Sequence, residues 1–157
     1  MMHRRVAGSL LVVSLVGLLA GAPPSEAESE DPLTKNSTDP KRIAIQIRSA
    51  LPMIERGYSI LSSTTDPGPT EAAVELLLKS YRYLRAAYQS NDLILSTSRV
   101  PDPLIDLQNH QIMFVRQRLL DCTGNRQYIT EDPARAKCLD GLASGLRTLR
   151  TVTAFLP

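Results

Sequence analysis

The sequence predicts an all-α fold, an antiparallel four-helix bundle, preceded by an export segment. Three observations carry that expectation. Four stretches repeat apolar residues at steps of three and four, and three Asp-Pro pairs stand where helices should start. No stretch after the export segment sustains period-two alternation with β-branched enrichment, so a sheet is not expected. A chain of 157 residues, 43% hydrophobic and 22% charged, suits one globular domain. The expected organisation is an export signal over 1–27, a flexible acidic leader over 28–39 and the bundle over 40–157.

Met1 to Ala27 has the layout of a signal peptide. His3, Arg4 and Arg5 form a positive start, and Val6 to Ala22 is an uncharged apolar run. Small side chains at Ser25 and Ala27 then fit a peptidase pocket, which places cleavage after Ala27. Retention as an anchor is the alternative, because 17 apolar residues lie at the lower edge of spanning length. No later stretch approaches that length, so the mature chain is expected to be exported, either periplasmic or secreted. Glu28 to Asp39 is polar and acidic, with Pro32 and no apolar periodicity, which reads as a flexible leader. Within it Asn36-Ser37-Thr38 matches a glycosylation acceptor.

The first helix should start at Asp39-Pro40, where a carboxylate can cap free amides and proline fits the first helical position. Ile43, Ile47, Ala50, Ile54, Tyr58 and Leu61 form its buried stripe. Pro52 lacks the amide that would bond the Arg48 carbonyl, so a kink or break is expected there. Ser62 to Pro69 reads as a turn, and the second helix as opening at Thr70. Its stripe is Val74, Leu77, Leu78, Tyr81, Leu84, Tyr88 and Leu95, with Asn91 as a polar seam residue that fixes register. Asp102-Pro103 opens the third helix, lined by Ile105, Ile112, Val115, Leu119 and Cys122 and flanked by Leu104, Leu107 and Phe114. Gly124 should end it in the left-handed conformation. Asp132-Pro133 opens the fourth, lined by Leu139, Leu142, Leu146, Leu149, Val152 and Leu156. Gly141 and Gly145 on that helix allow a neighbour to pack closely.

Charge and chemistry exclude more than they assign. A net charge of +2 gives no basic excess of the kind that nucleic-acid binding needs. Cys122 and Cys138, an even pair in an exported chain, come level in a hairpin of the last two helices and are expected to form one disulfide. His110, the one histidine after the signal, is expected as a half-buried packing residue. Zinc needs more ligands than it can begin to supply, and no metal site is expected. A haem held by His110 and Met53 or Met113 is a further reading of a bundle, without the motif for covalent attachment. No nucleophile elbow or Gly-rich phosphate loop is present, and no catalytic residue is assigned.

Tyr81, Arg82, Tyr83, Arg85 and Tyr88 carry the remaining signal, because Tyr and Arg are enriched at binding hot spots. Helical spacing places Tyr81, Arg85 and Tyr88 on one side and points Arg82 and Tyr83 away from the seam. The Arg116 and Arg118 side of the third helix is the next candidate surface. The leading expectation is a non-enzymatic exported module that binds another exported or membrane-associated protein, or stabilises an envelope complex, without a cofactor. A small-ligand or haem-binding bundle is the alternative. Export signal, helical content, one disulfide and 14 Arg against 4 Lys are also similar to the exported all-helical chorismate mutases. That resemblance implies a third reading, an anion-binding enzyme, although the family's ordered active-site motif is not placed on these residues.

Overall fold

The computed structural model describes residues 31–124 and 132–157. The expected export signal and its cleavage site lie outside the described residues. Among the described residues four helices follow a 3-10 turn at Pro32–Thr34: α1 Pro40–Ser63, α2 Pro67–Thr97, α3 Pro103–Thr123 and α4 Asp132–Ala154. Among the described residues none of them is long and apolar enough to cross a membrane.

Asp-Pro pairs set the starts. Asp39 accepts a hydrogen bond from the Lys41 amide and Asp102 from the Leu104 amide, each with proline at the first helical position. Asp66-Pro67 is a further such pair, and it starts α2 three residues before the expected Thr70. The turn between α1 and α2 is correspondingly short. At the end of α3 Gly124 stays right-handed, with φ −69° and ψ −22°, so the expected left-handed termination does not occur. Its amide continues the helical pattern by donating to the Leu120 carbonyl. Nor does Pro52 break α1. Both Pro52 and Arg48 face solvent, where water can satisfy the carbonyl that lost its donor.

Side-chain pairs fix the topology. Leu77 of α2 packs at Gly57 of α1, Asn91 of α2 meets Gln108 of α3, and Arg118 of α3 lies against Gly141 of α4. Arg150 of α4 pairs with Glu55 of α1 at 2.8 Å. Nearer the end of α4, the Leu156 carbonyl accepts from Arg48, while near its start Arg135 donates to the Leu61 and Thr64 carbonyls. Each neighbour therefore runs antiparallel to the next, in the cyclic order α1, α2, α3, α4. Ile47, Ile54, Leu61, Leu77, Leu84, Ile112, Leu119, Leu142 and Leu149 fill the centre and are fully buried. Burying such a side chain stabilises by about 1.5–3 kcal/mol, so these positions dominate the fold.

The seam of α2 differs from the predicted stripe. Ala73, Leu77, Ser80, Leu84, Ala87 and Asn91 recur at alternating steps of four and three and are all buried. Ala73, Ser80 and Ala87 are small, so a search for large apolar residues misses them, while Asn91 lies on the seam as its spacing predicts. Small side chains let α1 approach closely: a methyl group on Gly57 would lie 2.9 Å from Leu77 Cδ2 and 3.3 Å from the Ala73 carbonyl. On the other side, Gly145 takes Val115 and Arg118 of α3 against its backbone, as the glycine spacing predicts.

The expected flexible leader is docked where it is described. Leu33 packs on the core, and the buried Gln46 amide donates to the Leu33 and Lys35 carbonyls at 3.0 and 2.8 Å. Both partners are acceptors, which fixes the Gln46 nitrogen toward them. The Ser37 amide donates to Ser90 Oγ at 2.8 Å. These contacts use the backbone of the segment, which leaves no apolar periodicity to read.

Candidate functional site

The five residues singled out as a binding patch do not form one surface. Arg82 and Arg85 are exposed beside Lys35, Asn36 and Gln89 on a polar cleft. Tyr83, expected to point outward, is only 3% exposed. Residues 31–35 lie over it, and its hydroxyl donates to Asp31 Oδ2. That bond, the Leu33 amide and Lys79 at 3.4 Å hold the Asp31 carboxyl below its ordinary value. Burial and the same carboxylate push the Tyr83 phenol up.

Tyr81 and Tyr88 are half-buried and hold Arg116 of α3 between them. The guanidinium carbon lies 5.3 and 4.9 Å from the two ring centres, and Arg116 donates to the Tyr81 hydroxyl at 3.3 Å. Stacking of this kind stabilises by about 0.5–1 kcal/mol at partly exposed sites and joins α2 to α3. Arg118 lies 4.8 Å over the Phe114 ring and pairs with Asp121. Both arginines of the second candidate surface are thus engaged within the bundle.

His110 departs from its expected packing role. Its side chain is 66% exposed, and its Nδ1 atom lies 2.8 Å from the Asp106 carbonyl oxygen. Met113 is exposed on the same helix, and Met53 sits on α1. None of the three lines the apolar cavity or the polar cleft described in this section, which gives the alternative reading of haem ligation no support there. Among the described residues no group of His, Cys, Asp and Glu is placed to hold a metal ion. Cys122 and Cys138 are buried with their sulfur atoms at bonding distance and their Cα atoms 5.0 Å apart.

A cavity of about 540 Å³ opens at the other end of the bundle. There α1 begins, α2 ends, α3 begins and α4 ends. Ile43, Ile94, Ile105, Val152 and Leu156 supply apolar walls, and Leu104, Leu107 and Phe155 stand at its mouth, 74%, 56% and 84% exposed. Asn91, Gln108, Gln111 and Thr151 contribute polar atoms, and no ionisable side chain among the described residues lines it. Asn91 is 2% exposed and donates from Nδ2 to Gln108 Oε1 at 2.8 Å. The volume, the apolar walls and the few polar groups match a small-molecule site.

Periodicity missed this cavity because it follows one stripe per helix. The available signal was apolar side chains outside those stripes at one end of the bundle. Leu104 and Leu107 flank the stripe of α3, and Phe155 stands beside that of α4. Comparison with protein-family models, curated proteins and solved structures finds no match for the chain.

Proposed function

We propose that the protein is an exported, non-enzymatic binding module, and that it takes a small apolar ligand into the cavity at the open end of the bundle. The observation that carries this reading is the cavity itself, about 540 Å³ with apolar walls and an exposed apolar mouth. Its lining offers amides and one hydroxyl but neither a side-chain acid or base of useful pKa nor a nucleophile held by a base, which favours binding over catalysis. The anion-binding enzyme has less support. The cleft beside Arg82 and Arg85 has the basic groups such a substrate needs, but its lining lacks a carboxylic acid and both arginines face open solvent.

N-phenyl-1-naphthylamine, an uncharged dye that brightens in apolar surroundings, tests the reading. Its fluorescence should rise and saturate with the full chain. Leu107→Glu, which places a charge at the mouth, should remove most of that signal at unchanged helicity. Equal binding by this variant overturns the assignment of the site.

A protein partner is the second reading. Leu104 and Phe155 project far enough to be covered by a surface larger than a cavity ligand, and Val100 nearby is 80% exposed. In that case Val100→Asp should weaken association with the partner without changing dye binding.

A further inference from the structure

We infer that the cavity selects an uncharged amphiphile with an amide head group, read by Asn91 and Gln108 beneath an apolar body. This rests on the end cavity being the binding site. Asn91 is buried but lines the cavity, and one bond joins its amide to that of Gln108. Among the described residues Asn91 Oδ1 and Gln108 Nε2 make no other hydrogen bond with the protein. An acceptor and a donor are therefore left side by side. Exchanging oxygen and nitrogen in both amides preserves the result: Gln108 Oε1 is then the open acceptor and Asn91 Nδ2 the open donor.

The complement of adjacent donor and acceptor is a group that presents both in one plane. A carboxamide does so without charge. An ionised carboxylate presents only acceptors, so the Asn91–Gln108 acceptor would face it unpaired. It would also enter a cavity whose described lining carries no cation. A hydrocarbon leaves both protein groups unpaired, which disfavours it in the same way. Ile43, Ile94, Ile105 and Leu156 surround the space left for the apolar body. Gln111 and Thr151 lie on the same lining and add capacity for hydrogen bonding without adding charge.

Displacement of N-phenyl-1-naphthylamine from the full chain at pH 7 by decanamide, decanoate and decane separates these classes. Decanamide should compete at a concentration at least about tenfold lower than decanoate, since a site built around paired polar groups rejects ligands that leave them unpaired. Replacing both amides, Asn91→Leu together with Gln108→Leu, leaves neither donor nor acceptor of the pair and should bring decanamide and decanoate within about twofold, read by calorimetric titration of each ligand. Decanoate or decane competing as well as decanamide with the unmodified chain overturns the inference and leaves the cavity as the site. Retention of the full amide preference by the double variant also overturns it. Failure of the dye to bind, or binding unaffected by Leu107→Glu, overturns the reading of the cavity on which it rests.

Discussion

The two ends of the bundle are packed in opposite ways. At one, Leu61 is fully buried, Arg135 of α4 caps carbonyls at the end of α1, and Cys122 and Cys138 join α3 to α4. At the other, four helix ends surround a cavity with Leu104, Leu107 and Phe155 left to solvent. Equal packing at both ends would stabilise the domain further. Leu104, Leu107 and Phe155 instead gain little from folding alone, and on the proposed reading their exposed apolar surface around the cavity serves binding. If the open end is the proposed binding site, stability and binding are separated along the bundle axis.

The sharpest test of that separation is to open the bridged end. Cys122 and Cys138 are 16 residues apart, and closing a loop of that size stabilises by about 3 kcal/mol on the chain-entropy argument. Cys122→Ala combined with Cys138→Ala should lower the unfolding free energy by that amount in denaturant titration. Dye affinity at the far end should change little while the domain stays folded. A large loss of dye binding in the folded variant would show that the two ends are coupled.

The helical layout, much of the core and the bridge were legible in sequence. Asp-Pro pairs mark the helix starts, and the Leu and Ile stripes of α1 and α4 mark the core, because large apolar side chains at helical spacing have few other places to go. Two features were not legible, for physical reasons. The seam of α2 is made by Ala73, Ser80 and Ala87, which earn burial by being small. The segment from Asp31 to Ser37 is held by Gln46, Tyr83 and Ser90 through backbone and carboxylate contacts, and such bonds impose no pattern on the residues they fix. Helical spacing alone places Tyr83 on the surface, because it does not show the segment that covers it. The cavity lay outside the reach of periodicity for a related reason: it depends on where four helices stop, and spacing locates faces better than ends.

An intermediate effect is expected where that segment docks, between the two ends. Tyr83→Phe keeps the buried ring and removes the bond to Asp31, which should cost about 1–2 kcal/mol and speed proteolysis of residues 31–37. Acid should act through the same carboxylate. Because Asp31 is held below its ordinary 3.8, it stabilises the docked segment above that pH. The contribution is lost as pH falls through the lowered folded-state value. Tyr83 is the largest cause of the lowering, so Tyr83→Phe should release the segment at a higher pH than the unmodified chain does. Hydrogen exchange at residues 33–37 across pH 2 to 6 measures both curves. Coincident curves would remove Tyr83 from the latch.

The smallest effect on stability is expected at the open end, and there it is the most informative. Leu104 and Phe155 bury little of their surface in the folded chain, so replacing either with Ser takes away almost no native packing. Exposed substitutions change stability by less than about 0.5 kcal/mol, and Leu104→Ser and Phe155→Ser should melt with the unmodified protein. Both side chains line the mouth of the cavity and would be desolvated by a bound ligand. Burying half or more of a large side chain contributes on the order of 1 kcal/mol, so each variant should bind the dye several-fold more weakly. The disulfide variant should show the reverse pattern, with a large loss of stability and little loss of affinity. If Leu104→Ser instead lowers the melting temperature markedly, this end is part of the core, and its exposed residues have a structural role in place of a binding one.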